Sequence, residues 1–441
     1  LYNFPAVIAP RIRVRPPGPR ARRIIALDER YLSPCVTRVY PLAIASGRGT
    51  TVTDVDGNVY LDFTSGVAVN ALGHAHPDVV EAIRAQAGRF VHMAGTDFYY
   101  DVMAELAARL CRMAGGPPKR VFFGNSGTEA VEAALKLAIQ HTGRHKIIGF
   151  VGGFHGRTMG SLSVTASKVV QRAGYPMGLP VIHVPYPNPY RPILRGELVK
   201  ATINYIEEQV FRRLAAPSDV AALIVEPIQG EGGTVVAPRG FLRALRRLCT
   251  RHGILMVCDE IQSGMGRTGK LFAYMHEGIE PDVVCFAKAV AGGLPLGGIL
   301  APAKLHTWVS GAHANTFGGN PVACAAALVV LDHLGRGLME RARRMGAHLG
   351  SRLKTLVRRH ARLGDARGVG LMQGVEVVAD KRTRARAPEL RGRLVLECFR
   401  RGLLLMGSGD SSIRFLPPLT VTREELDAGL KIFEDVVERF A

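Results

Sequence analysis

Between residues 77 and 334 the chain alternates short apolar runs with longer stretches whose apolar positions recur at helical spacing. Apolar runs bounded by Gly-rich or polar segments are how strands buried on both faces read, and the amphipathic stretches between them read as the helices that cover the sheet. On this pattern, strands are expected at residues 120–123, 146–150, 181–184, 221–226, 254–259, 283–286 and 298–301. Helices are expected at 129–140, 198–214 and 241–251. Alternating strand and helix predicts the α/β class, with a mostly parallel seven-stranded sheet in one large domain over residues 77–334.

The flanks follow a different pattern. A Pro- and Arg-rich arm leads into two alternating runs, 51–54 and 59–63, joined through Asp56, Gly57 and Asn58, which predicts a hairpin. A long basic helix near 338–360 is followed by strand, helix, strand and helix at 370–378, 388–400, 412–416 and 423–440. Residues 1–76 are therefore read as an N-terminal arm and part of a smaller α+β domain that residues 335–441 complete.

Composition narrows the function classes. Hydrophobic residues make up 47% and charged residues 21% of 441 residues, the balance of an ordinary globular protein and not of a disordered one. Cys35, Cys111, Cys249, Cys258, Cys285, Cys324 and Cys398 show no short paired spacing of the kind a zinc or redox site needs, so no metal is expected. The longest apolar run, 289–303, is broken by Gly292, Gly293, Pro295, Gly297 and Gly298, so no membrane span is expected. The start of the chain lacks the order of a secretory signal, which makes a cytoplasmic location the expectation. The net charge of +20 invites a nucleic-acid partner, but its arginines are spread in small groups on helical patterns with no interleaved stacking motif. No nucleic-acid partner is expected.

Four short segments can carry chemistry. Asn125, Ser126, Gly127, Thr128 and Glu129 follow a strand and open a helix. Ser126 and Glu129 could simply form a capping box, or the free N–H groups and hydroxyls could receive a phosphate. Phe154, His155 and Arg157 lie just past the strand ending at Phe150, where ligands of open parallel sheets bind. A ring there could stack on a flat cofactor, and Arg157 could meet a carboxylate. Asp259 ends a strand, where a carboxylate can serve as a turn or capping residue; sitting deep, it must be paired or neutralised, and a protonated ring nitrogen is one such partner. Lys288, alone among apolar neighbours, is either a structural lysine that snorkels to the surface or an imine-forming amine, since burial disfavours its charged form.

Taken together, these segments resemble the class III (ornithine and 4-aminobutyrate type) aminotransferases of the fold type I pyridoxal-phosphate family. The likeness spans residues 37–419, through 62–77, 126–132, 153–158, 226–233, 259–269, 288–298 and 316–321. The Pro-rich arm resembles that of archaeal members.

The resemblance implies pyridoxal 5'-phosphate as cofactor, held by Lys288 as a Schiff base, with Asp259 partnering the pyridine nitrogen. It implies Phe154 and Ile261 on the two faces of the ring, and Ser126, Gly127 and Thr128 in the phosphate loop. His155 belongs to the same wall, Gln262 lies near the phenolic oxygen, and Thr316 is donated by a neighbouring subunit. Arg414 matches the arginine for the substrate's α-carboxylate, and Glu231 the acid that pairs with it when that carboxylate is missing. His74 and His76 are read as structural. Val67 stands where eukaryotic ornithine aminotransferases carry tyrosine, which moves the expectation toward 4-aminobutyrate. The implied activity is transfer of an ω-amino group to 2-oxoglutarate by a homodimer or higher homo-oligomer. An amino-acid racemase of the same family and an acetylornithine aminotransferase are the alternatives.

Overall fold

The computed structural model describes residues 10–441. The chain divides into two compact units, one Asp78–Glu340 and the other the residues up to Pro77 together with Arg341–Ala441. The first unit is built on seven strands: β1 (Lys119–Gly124), β2 (Lys146–Phe150), β3 (Val181–Val184), β4 (Val220–Val225), β5 (Leu255–Asp259), β6 (Val283–Phe286) and β7 (Gly297–Pro302). Their order across the sheet is β1-β7-β6-β5-β4-β2-β3. Strand β7 runs antiparallel to both neighbours, and the pairs among β6, β5, β4, β2 and β3 are parallel. The reason is the linker: residues 287–296 hold only a helical turn, too short for the covering helix that a parallel return requires.

Burial explains the apolar runs. Every residue of β4, β5, β6 and β7 is buried, as strands covered on both faces must be. The helix α1 (Gly127–Thr142) lays Ala130, Ala133, Ala134, Leu137 and Ala138 on the sheet, and its alanines let the two backbones approach closely. Gly143, at φ +68°, ends it with its N–H on the Ile139 carbonyl. The helix expected over 198–214 runs as Leu198–Tyr205 and then widens into π-helical turns over Ile206–Leu214.

One stretch, Pro321–Arg359, contains a window apolar enough to cross a bilayer, contrary to the sequence expectation. Its apolar part, Pro321–His333, buries Ala323, Cys324, Ala326, Ala327, Val330 and Leu331, and the helix breaks at Gly337, whose φ is +101°. It reads as a core helix.

In the second unit the hairpin strands Thr51–Asp54 and Val59–Asp62 pair antiparallel, flanked by Ile44–Arg48 and by Leu403–Leu404. A separate antiparallel sheet runs Leu363–Val369, Met372–Asp380, Ser412–Phe415 and Met406–Ser408. Helices Pro388–Arg400 and Arg423–Phe440 cross this part of the chain, the latter opened by a capping box between Thr422 and Glu425.

Candidate cofactor site

The parallel strands place Phe150, Val225, Asp259 and Phe286 at one edge of the sheet, and the register of Gly297 with Gly124 brings the end of β1 to the same edge. The loops that leave this edge carry most of the residues singled out above.

Ser126 caps α1 by accepting from the Glu129 N–H at 3.3 Å. Glu129 reaches back to the backbone N–H and side chain of Asn125, one residue short of the capping box that the sequence suggested. The cap thus spends one acceptor on Ser126 and leaves its hydroxyl proton available to a ligand. A Cβ on Gly127 would stand 2.9 Å from Ile261, so only glycine lets the helix start lie against that side chain. Thr128 shares its hydroxyl with Thr158 at 2.8 Å and Ser161 at 2.6 Å.

Asp259 is 3% exposed; its Oδ2 meets His155 Nδ1 at 2.6 Å and its Oδ1 accepts from the Ile261 N–H at 3.1 Å. Burial opposes charge on His155, but the hydrogen bond and the negative fields of Asp259 and Glu226 outweigh it and hold the imidazole above its ordinary pKa. Lys288 is half-buried just beyond β6 and holds φ +44°, a left-handed conformation costly outside glycine and typical of functional positions.

The surroundings suit pyridoxal phosphate. Gln262 Oε1 and His155 Nε2 are buried without a hydrogen-bond partner, Asp259 offers a buried anion, and Phe154 is half-buried with no ring packed on it among the described residues. A groove of about 1020 Å³ lined by Arg144, Arg243, Arg246, Arg247 and Lys304 lies at the opposite, amino-terminal end of β5 and contains none of these residues.

The class III aminotransferase profile matches residues 33–437. The chain belongs to the class III aminotransferases. It is 37% identical to an alanine/serine racemase of Pyrococcus horikoshii, over 97% of this chain and 93% of that protein. It is 40% identical to an acetylornithine aminotransferase of Methanopyrus kandleri, over 90% and 95%. Among solved structures it is similar to a taurine:2-oxoglutarate aminotransferase of Bifidobacterium kashiwanohense in complex with pyridoxal phosphate and glutamate, with TM-score 0.88 and 28% identity over 95% and 98% of the two chains. The protein is a pyridoxal-phosphate-dependent enzyme of fold type I.

Within this aminotransferase the first unit brings together Ser126, Gly127, Thr128, Phe154, His155, Asp259, Ile261, Gln262 and Lys288. Arg157 and Thr316 belong to it as well but are exposed, and neither side chain has a hydrogen-bond partner among the described residues. Glu231 also lies there, with Lys168 Nζ at 2.6 Å, a partner that nothing in the sequence pattern indicated.

Val67 and Arg414 belong to the second unit. Val67 sits in a left-handed turn with Ser65, Gly66 and Ala68, an arrangement that costs about 1–2 kcal/mol per residue outside glycine. The turn is held by Ser65 Oγ donating to the Leu416 carbonyl at 2.6 Å and by Asp62 accepting from Thr64 and Ser65. His74, read as structural, pairs with the same Asp62 at 2.7 Å. Arg414 is 5% exposed in the strand Ser412–Phe415.

Sequence reasoning missed Glu226. Its carboxylate accepts from the Phe154 N–H at 2.8 Å and the Gly230 N–H at 2.9 Å, tying two site loops together. Burial pushes its pKa up to about 7, with Asp259 adding to the rise and His155 opposing it.

Proposed function

We propose that this aminotransferase takes an ω-amino group from donors of the 4-aminobutyrate and ornithine type and delivers it to 2-oxoglutarate. The observation that carries the reading is the set at one sheet edge: a strained Lys288, a buried Asp259 paired with His155, and the open helix start at Ser126 to Thr128. The named activity of the taurine:2-oxoglutarate relative supports it, since the reacting carbon of taurine bears no carboxylate.

In this reading Ser126, Gly127 and Thr128 bind the cofactor's phosphate, while Phe154 and Ile261 hold the two faces of its ring. Asp259, oriented by His155, would partner a protonated pyridine nitrogen. Gln262 would lie near the phenolic oxygen, and Thr316 would serve the site of a second copy of the chain. The bound cofactor supplies an electron sink at the reacting carbon. Lys288 Nζ would hold the cofactor covalently and, once the donor's own amine displaces it, would be free to carry the proton removed from the donor carbon. Arg157 in the first unit and Arg414 in the second are each assigned a substrate carboxylate.

A second reading, amino-acid racemization with the same lysine, is favoured by the 37% identity to the alanine/serine racemase. One experiment separates them. Single-turnover absorbance of the holoenzyme is followed with 4-aminobutyrate, ornithine and glutamate in turn, beside the optical rotation of alanine and serine. Loss of the cofactor's visible band with the ω-amino donors and its return on adding 2-oxoglutarate are expected. Loss of optical activity without any oxo acid would establish the racemase instead.

A further inference from the structure

The basic run near 243–251, which the cofactor site does not use, lies on the helix Phe241–His252 of the first unit. Leu245, Leu248 and Cys249 face the core, and Arg243, Arg247 and Arg251 stand exposed on the other side. Residues four apart are neighbours along one helix face, about 6 Å from one to the next. The outer two arginines are paired: Arg243 Nε lies 3.7 Å from Glu277 Oε2, and Arg251 Nη1 lies 2.6 Å from Glu207 Oε1. Arg247, between them, has no side-chain partner among the described residues.

Arg247 borders two grooves. One, of about 1020 Å³, also takes in Lys304 and reaches Leu255 at the start of β5. The other, of about 290 Å³, takes in Lys200. Both lysines are exposed and, like Arg247, form no ion pair among the described residues. The carboxylates of the larger groove are already engaged, Glu280 by Lys119 Nζ at 2.7 Å and Asp282 by Arg246 Nη1 at 2.5 Å. In the smaller groove Glu207 holds Arg251, and Glu197 accepts from the backbone N–H groups of Val199 and Lys200. Three cations are thus left without a counter-charge on one stretch of surface, where an anion is attracted.

The layout narrows the anion. Arg247 lies between the grooves that hold Lys200 and Lys304, so a ligand that meets all three must carry several charges and extend across the helix. The planar guanidinium fork matches phosphate oxygens two at a time. Among the described residues no Phe, Tyr or Trp lines either groove, so no such ring is placed to stack on a nucleobase. We propose that Arg247, flanked by Lys200 and Lys304, anchors a chain of linked phosphates laid across the helix Phe241–His252. The site lies toward the amino-terminal end of β5, whose other end carries Asp259, and it is independent of which amino donor the enzyme takes.

The test is calorimetric titration of the holoenzyme, in which the bound cofactor fills its own phosphate seat, with inorganic tripolyphosphate, ATP and orthophosphate. Wild type is compared with Arg247→Gln, Lys304→Gln and Arg382→Gln. Arg382 is exposed just after the strand Met372–Asp380 of the second unit, so its loss removes the same charge elsewhere. One tripolyphosphate per chain is expected, weakened about tenfold by Arg247→Gln and about threefold by Lys304→Gln, with Arg382→Gln within about twofold of wild type. Orthophosphate should bind about tenfold more weakly, and ATP within about threefold of tripolyphosphate. The absence of saturable binding overturns the inference, as do equal losses in Arg247→Gln and Arg382→Gln, which would reduce the effect to overall charge. ATP that binds far more tightly than tripolyphosphate, with the loss in Arg247→Gln retained, keeps the site and makes a nucleotide the source of its phosphates.

Discussion

Lys288 combines two costs in one position, a left-handed backbone and a half-buried amine. A side chain is retained under such strain when its amine has work to do. Lys288→Ala is therefore expected to fold and to lack the visible absorbance of the lysine-linked cofactor, read directly in the spectrum of the purified protein. A variant with both that absorbance and full turnover would remove Lys288 from its role. In the proposed site, Asp259 would act through its charge on the ring nitrogen. Asp259→Asn is expected to keep the visible band but lose at least tenfold in rate, about 1.4 kcal/mol of barrier, because a neutral amide no longer favours a proton on the ring nitrogen. Near-normal turnover would make Asp259 a structural partner of His155. Of these features only the residue types were legible in the sequence. The positive φ of Lys288, the His155 pairing and the double hydrogen bond of Glu226 depend on which loops meet, and no local pattern encodes that.

At the level of elements, the apolar runs of the large sheet were the most legible part. Strands β2, β3 and β6 stand where their apolar runs predicted, as do helices Pro388–Arg400 and Arg423–Phe440. Strand Leu363–Val369 was missed because Gly364, Asp365, Arg367 and Gly368 give it no apolar alternation, and its pairing with Met372–Asp380 supplies what its sequence lacks. Strand Ile44–Arg48 and helix Pro19–Tyr31 were missed for the same reason, since the strand buries none of its residues and the helix only Ala21. The turn after β5 carries a testable cost of burial. Glu260 is 1% exposed, accepting from Ser263 Oγ at 2.6 Å and the Tyr274 N–H at 2.7 Å, and burial pushes its pKa from 4.5 up to about 7 despite these donors. An acid raised in this way is favoured in its neutral form by folding. Its contribution is complete below about 4.5 and is lost as pH rises through about 7, an effect on the order of 3 kcal/mol. Glu260→Gln, which cannot ionise, should flatten the fall in thermal midpoint between pH 5 and pH 8 relative to wild type. Parallel curves for the two proteins would contradict this account of Glu260.

At the scale of the whole molecule, the first unit exposes several large apolar side chains. Val91, Phe98, Tyr99 and Phe317 are 60%, 51%, 106% and 59% exposed. Their segments adjoin, because the rings of His92 and Phe317 lie 4.9 Å apart, Tyr100 Oη donates to the Gly319 carbonyl at 2.8 Å, and Asn320 Nδ2 donates to the Val91 carbonyl at 3.1 Å. Exposed apolar side chains on adjoining segments are what an interface between copies of the chain would bury. Thr316, the residue read as a phosphate ligand for a neighbouring site, is the exposed neighbour of Phe317. A second copy of the chain is thus the proposed occupant, and cofactor binding and association become one equilibrium: a ligand that binds only the assembled site stabilises the assembly. The protein is expected to sediment as a dimer or larger, and Phe317→Asp should dissociate it while releasing cofactor from both copies. Thr316→Ala should weaken cofactor retention without changing the sedimentation coefficient, because it removes a hydroxyl and leaves the apolar face intact. A monomeric Phe317→Asp variant that kept its cofactor and its turnover would show that each chain completes its own site, and Thr316 would lose its assigned role.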